Sequence, residues 1–200
     1  MTNTALLVID VQNSFTALPR WQAISAPDIV QRTKTLVDHA RASGDLVVWV
    51  LHAEPGSDGP FDPKRGQVTL QPGLSPAPDE PVLTKTSRNA FTTTELGRVL
   101  TRHCIHRLRI CGIQTEQCCE TTARIGADLG YQVDFVTDAT ATFPIAHRDS
   151  DPDRPYEQVL SDPHTLGTAE IIERTEYALS GRFARITSIE EVCSTATAEA

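Results

Sequence analysis

The stretch RLRICGIQTEQCCETTARIGADLGYQVDFV, residues 107–136, decides the fold. It opens on an apolar run, Arg107–Ile113, too short for anything but a buried strand or a fragment of helix. Thr115 to Leu129 then has helical spacing, Gly130 suits its stop, and Val133–Val136 returns to a β-branched, aromatic run. Strand, helix, strand within thirty residues is a βαβ unit, which implies parallel strands joined by a right-handed crossover.

The same alternation extends in both directions. Upstream, Ala5–Val11 and Leu46–Leu51 read as buried strands around a helix at Ile29–Ala42 capped by Gly44. Val82–Thr84 begins a short third strand that meets Lys85. Thr92-Thr-Thr-Glu95 has the spacing of a capping box opening a helix to about Cys104. Downstream, Thr165–Leu179 reads as a helix, Phe183–Ile186 as a sixth strand and Ser188–Val192 as a last turn. Residues 54–81 and 143–163 are rich in Gly, Pro and polar side chains and read as long loops, and the terminal STATAEA as a frayed tail. The expectation is a single α/β domain over residues 1–200, with a six-stranded, mostly parallel sheet between two helical layers.

The bulk numbers narrow the function. A net charge of −8 provides no basic surplus to meet phosphates, which argues against nucleic acid or an anionic membrane as partner. No apolar run approaches the roughly 20 residues of a membrane span. The N-terminal MTNTALLVIDVQ lacks the basic segment and cleavage site of a signal peptide, so a cytoplasmic location is expected. Five cysteines, with no zinc spacing among them, are expected as free thiols rather than a disulfide framework. There is no GxSxG, GxGxxG, P-loop or HExxH.

Parallel sheets of this kind bind ligands at the carboxyl ends of their strands, near the point where strand order reverses. The polar residues there are Asp10, His52, Lys85, the Gly112–Cys118 turn and Asp138. Each has a plainer reading: Asp10 as a cap or turn former, Lys85 as an exposed cation, His52 as a turn histidine. Cys118 would fall in the first turn of a helix capped by Thr115, where free N–H groups and the helix dipole lower a thiol pKa and can form an oxyanion hole. Its plainer reading is a small packing residue. Spacing alone does not choose between Cys118 and Cys119, although the stripe Cys119, Ala123, Gly126 is the smaller and suits close packing on a sheet.

Taken together, LLVIDVQNSF (6–15), VLTKTSRNAFTTTEL (82–96) and CGIQTEQCCETTARIGADLGYQVDFVTDATATF (111–143) resemble the isochorismatase-like cysteine hydrolase superfamily. The resemblance implies its Rossmann-like fold and a catalytic triad of Asp10, Lys85 and Cys118. It implies a cis peptide between Ile113 and Gln114, and an oxyanion hole from the N–H groups of Gln114 and Cys118. It makes Cys118 the nucleophile and Cys119 a core residue. The activity implied is hydrolysis of a C–N bond in a small amide, ureido or lactam compound through a thioester, with no cofactor. Vinyl-ether hydrolysis, or a non-catalytic redox sensor using the paired thiols, are the alternatives. Nicotinamidases of this superfamily carry an Asp-x-His…His metal site that nothing after LVVWVLHAEPGSDGPFDP (46–63) matches, so no metal is expected. Phe15, Gln12, Trp21, Phe91, Gln117 and Phe143, with Asn13, are the candidate substrate contacts. The partner is a small molecule, and the family habit is a homodimer or homotetramer.

Overall fold

The computed structural model describes residues 2–194, so most of the terminal STATAEA segment lies outside the described residues. Six strands form one parallel sheet: β1 (Thr4–Ile9), β2 (Leu46–His52), β3 (Val82–Lys85), β4 (Arg107–Ile113), β5 (Gln132–Ala141) and β6 (Arg185–Thr187). Their order is β3-β2-β1-β4-β5-β6. The first three strands step outward one way and the last three the other, so strand order reverses between β1 and β4. That is where the expected six-stranded parallel fold opens a crevice.

The helices are α1 (Asn13–Thr16), α2 (Ile29–Ser43), α3 (Leu96–Arg102), α4 (Glu120–Asp128), α5 (Tyr156–Ser161), α6 (Thr168–Leu179) and α7 (Ile189–Ser194). The pleat of the central strands sorts the core into two layers. Leu6, Val8, Val47, Trp49, Cys111 and Ile113 meet Leu36, Val37 and Ala40 of α2 and Val192 of α7. Ala5, Leu7, Ile9, Val48, Val50, Leu108 and Ile110 meet Leu96 and Leu100 of α3, Cys119, Ala123 of α4, and Leu179 of α6. No helix among the described residues is long and apolar enough to cross a membrane.

Several boundaries differ from the sequence reading. The capping box at Thr92 does not form: Asn89 captures Thr92 instead, through its N–H and hydroxyl, and α3 starts at Leu96. Side chain–backbone turns of this sort compete with helix starts for the same donors. The run 115–129 divides into a π-helical turn, Thr115–Cys119, and the helix α4. Thr115 is no cap, because its hydroxyl donates to Thr140 Oγ1 at 2.8 Å. β1 ends at Ile9 rather than Val11, β5 runs on to Ala141, β6 is shifted to Arg185–Thr187, α6 starts at Thr168, and the 143–163 loop contains α5.

The other long loop, 54–81, is ordered by two carboxylates. Asp62 accepts from the N–H groups of Gly56, Asp58 and Lys64. Glu80 accepts from Arg41, from Ala77 N and from the indole of buried Trp49 at 2.7 Å, which ties the loop's end to β2 and α2.

Candidate active site

Three strand ends converge. Asp10 follows β1 with φ 53°, a left-handed conformation that Asp tolerates better than most residues, and its N–H still donates to Val50 O at 2.8 Å. Lys85 is the last residue of β3, two strands away, and adjacent strands lie about 4.8 Å apart. Only a long side chain can cross the end of β2, and the Lys85 ammonium does so to reach Asp10 Oδ2 at 2.7 Å. It also lies 3.3 Å from Cys118 Sγ, at the π-helical turn after β4. Asp10 and Lys85 are fully buried and Cys118 is 4% exposed.

The path of β4 makes this approach possible. Gly112 pairs with Ile9 beside a β-bulge, at φ 126°. A Cβ built on Gly112 would sit 1.9 Å from the Ile9 carbonyl oxygen, so only glycine lets β4 lie this close to the end of β1. The Ile113–Gln114 peptide that follows is cis. Gln117 N and Cys119 N both donate to Gln114 O, closing the wide turn that carries Cys118. π-Turns of this kind recur at functional sites. Cys119 is fully buried against the sheet with Ala123, while Thr122 bonds Cys118 O at 2.6 Å.

Electrostatically the thiol differs from the sequence expectation. A helix dipole was to lower its pKa, but burial pushes the Cys118 thiol up to about 12, with the Asp10 charge adding to the rise and Lys85 opposing it. Desolvation dominates because the sulfur lies beneath the surface, and the turn that carries it is a π-turn rather than an α-helical N-terminus. Burial likewise raises Asp10 against the attraction of Lys85. Asp10 Oδ1 is buried with no hydrogen-bond partner among the described residues.

A cleft of about 740 Å³ opens over Cys118. Of the sequence candidates, Phe15, Gln114 and Gln117 line it. Gln12 does not: fully buried, it clamps the end of β2, donating to His52 O and accepting from His52 N. Asn13 holds the 54–81 loop through Thr69 and Leu70. Phe143 is buried behind Phe15 at 5.9 Å, and Trp21 packs on Phe143 at 6.3 Å, so both back the wall rather than form it. Phe91 faces elsewhere, stacking on Tyr131 at 6.0 Å and packing near Gly126 of α4.

Residues that sequence reasoning missed make up much of the lining: Arg20, Glu54, Phe61, Arg88, Arg154 and Tyr156. His52 lines it too. Arg88 donates to its Nε2 at 2.9 Å, and burial beside Lys85 lowers its pKa, so the ring is neutral. Among the described residues no three His, Cys, Asp or Glu side chains cluster as metal ligands would.

Comparison with known proteins adds kinship to this geometry. Residues 4–153 match the Isochorismatase domain family. A streptothricin hydrolase of Streptomyces noursei is 39% identical over 144 residues, covering 70% of this chain and 55% of its own. The chain spans about half the length of the streptothricin hydrolases it matches. Nicotinamidase 3 of Arabidopsis thaliana is 34% identical over 154 residues, covering 70% of this chain and 73% of its own. Among solved structures, an isochorismatase from Pseudomonas putida KT2440 superposes with a TM-score of 0.80 at 28% identity, over 94% of this chain and 89% of that one.

Proposed function

Because this chain belongs to the isochorismatase family, we propose that it is a cysteine hydrolase that cleaves a C–N bond of a small amide-type compound. The observation that carries this is the convergence of Asp10, Lys85 and Cys118 under an open cleft, with Lys85 Nζ within 3.3 Å of both partners. Names among its relatives, streptothricin hydrolase and nicotinamidase, support the same bond class.

The resting thiol is protonated, since its pKa is near 12. Attack therefore has to be coupled to proton removal, and Asp10 is the buried base beside it. Cys118 Sγ adds to the carbonyl carbon as its proton moves to Asp10, and Lys85 holds the carboxylate and the developing sulfur charge. On this reading the N–H groups of Gln114 and Cys118 serve as the oxyanion donors. Asp10 returns the proton to the leaving nitrogen, the C–N bond breaks and a thioester remains. Water, losing a proton to Asp10, adds to the thioester; the C–S bond breaks, the acid leaves, and the sulfur regains its proton. Vinyl-ether cleavage needs an acid and water but no thiol, so a cysteine beside the Asp10–Lys85 pair favours the amide reading.

The test is ammonia release from a panel of amides, ureides and carbamoyl compounds, with lactam opening followed by mass. Turnover lost in Cys118→Ala is the expected result. Turnover undiminished in that variant would refute the thioester route.

A further inference from the structure

We propose that the cleft selects substrates carrying a carboxylate, bound by Arg20 with Tyr156 and Arg154. This rests on reading the cleft as the hydrolytic site, and it names the substrate class of that site.

The argument begins with unmade hydrogen bonds. Buried polar groups in folded proteins are nearly always paired, so those left open call for an explanation. Besides Asp10 Oδ1 and His52 Nδ1 by the reacting groups, four such atoms among the described residues belong to three residues of this cleft lining: Arg20 Nε, Arg154 Nε and Nη2, and Tyr156 Oη. All four can donate. A wall of unused donors is complementary to a group that only accepts.

Charge decides which acceptor. Three arginines line the cleft, in a chain whose net charge is −8. Arg154 is paired with Asp162 at 2.7 Å, and Arg88 lies 3.5 Å from Glu54. Among the described residues Arg20 has no carboxylate within ion-pairing distance. Its guanidinium instead lies over the rings of Phe143, at 5.2 Å, and Phe15, at 5.9 Å. Those rings fix its plane and leave its donor edge unused. Glu116 and Glu54 act on this guanidinium only at longer range, so it is free to pair directly with a single negative charge, which favours a carboxylate over a phosphate dianion, and its fork of N–H groups fits the two carboxylate oxygens. The local charge opposes the overall charge, and at contact distance the local charge governs.

The walls carry this selectivity. Arg154 and Tyr156 lie just beyond the family match, which ends at residue 153, Arg154 on the loop leading into α5 and Tyr156 at its first residue. They can therefore set the substrate of this chain without touching Asp10, Lys85 or Cys118.

The experiment uses three amides built on the same two-carbon chain and differing in charge: succinamate, its neutral isostere succinamide and cationic β-alaninamide. Binding is measured by calorimetry to full-length Cys118→Ala, so that turnover plays no part. Succinamate is expected to bind about tenfold or more tightly than either of the others, a margin typical of one charge-assisted pair. Adding Arg20→Ala should erase the margin while leaving the two other affinities unchanged. Arg20→Lys, which keeps the charge and the stem, should restore part of it, and Tyr156→Phe should reduce it. Equal binding of the three, no saturable binding of succinamate, or a margin untouched by Arg20→Ala would overturn the proposal. Arg20-dependent binding of succinamate in a protein that hydrolyses no amide would uphold the anion site and count against the hydrolase reading alone.

Discussion

Lys85 Nζ lies 2.7 Å from Asp10 Oδ2, and neither side chain has any exposed surface. A buried pair of this kind is expensive to break and cheap to replace, because removing one partner strands the other charge. Lys85→Met, which strands the Asp10 carboxylate, should lower stability by about 3–5 kcal/mol, whereas Asp10→Asn, which removes a charge that burial already disfavours, should cost less. The double variant should recover much of that loss and remain inactive. Urea melts of the two singles and the double, run as a cycle, would measure this. Additive losses would mean that the pair is not coupled.

The pH dependence follows from the same pair. Asp10 must be ionised to accept the thiol proton, and burial holds its pKa above the ordinary carboxylate range. kcat/KM should therefore rise with pH through a limb lying above that range. No thiol limb should appear below pH 10, since Cys118 titrates near 12. Stability moves the other way. The folded chain keeps the Asp10 proton longer than the unfolded chain does, so this group's contribution is full at low pH and is lost as pH rises through the raised value. Alkylation of Cys118 rising with an apparent pKa of 8 to 9, typical of a free thiol, would contradict this picture.

Gly112→Ala should cost more than Gly126→Ala. At Gly112 the new methyl meets the Ile9 carbonyl at 1.9 Å, on a backbone with φ 126°. At Gly126 it meets the movable tip of Leu108 at 3.0 Å. The first should abolish folding or remove well over about 3 kcal/mol, the second about 1–3 kcal/mol. Thermal melts would rank them, and a reversed order would mean that β4 does not hold this close approach in solution.

Glu80→Gln should loosen the cleft wall formed by the 54–81 loop. Burial pushes the Glu80 carboxyl up, but hydrogen bonds from Arg41, Trp49 and Ala77 N outweigh it and hold the pKa below its usual value. Its stabilisation is therefore present above the ordinary value and lost as pH falls through the depressed one. The variant should lose about 2 kcal/mol and show faster amide exchange in the loop near Ser75 and Ala77. Unchanged exchange would mean that Asp62 and Asn13 suffice to hold the loop.

The sequence made the strand ends legible because each is an apolar run halted by a polar residue, as at Asp10 and Lys85. It made α2 legible because Gly44, at φ 72°, ends a clean helical stripe. It misplaced the roles of threonines at helix starts, because a hydroxyl finds whichever acceptor the tertiary fold brings, as Thr115 finds Thr140. It misjudged the Cys118 thiol because desolvation is set by depth, and depth is not written in local spacing. Arg20, Arg154 and Tyr156 left no signal at all. Arg20 stands on the short turn Pro19–Ala23 and the other two in the 143–163 segment, and no local spacing links the two stretches.

The reacting groups stand at strand ends tied into the sheet, whereas much of the cleft wall stands on the two long loops and on the segment Phe15–Arg20. Change can therefore accumulate at the two sites at independent rates. Substitutions at Arg20 or Tyr156 redraw the menu of accepted molecules and leave the chemistry intact. A substitution at Gly112 ends both. For an engineer this marks where a library of variants can be dense and where it must be left blank.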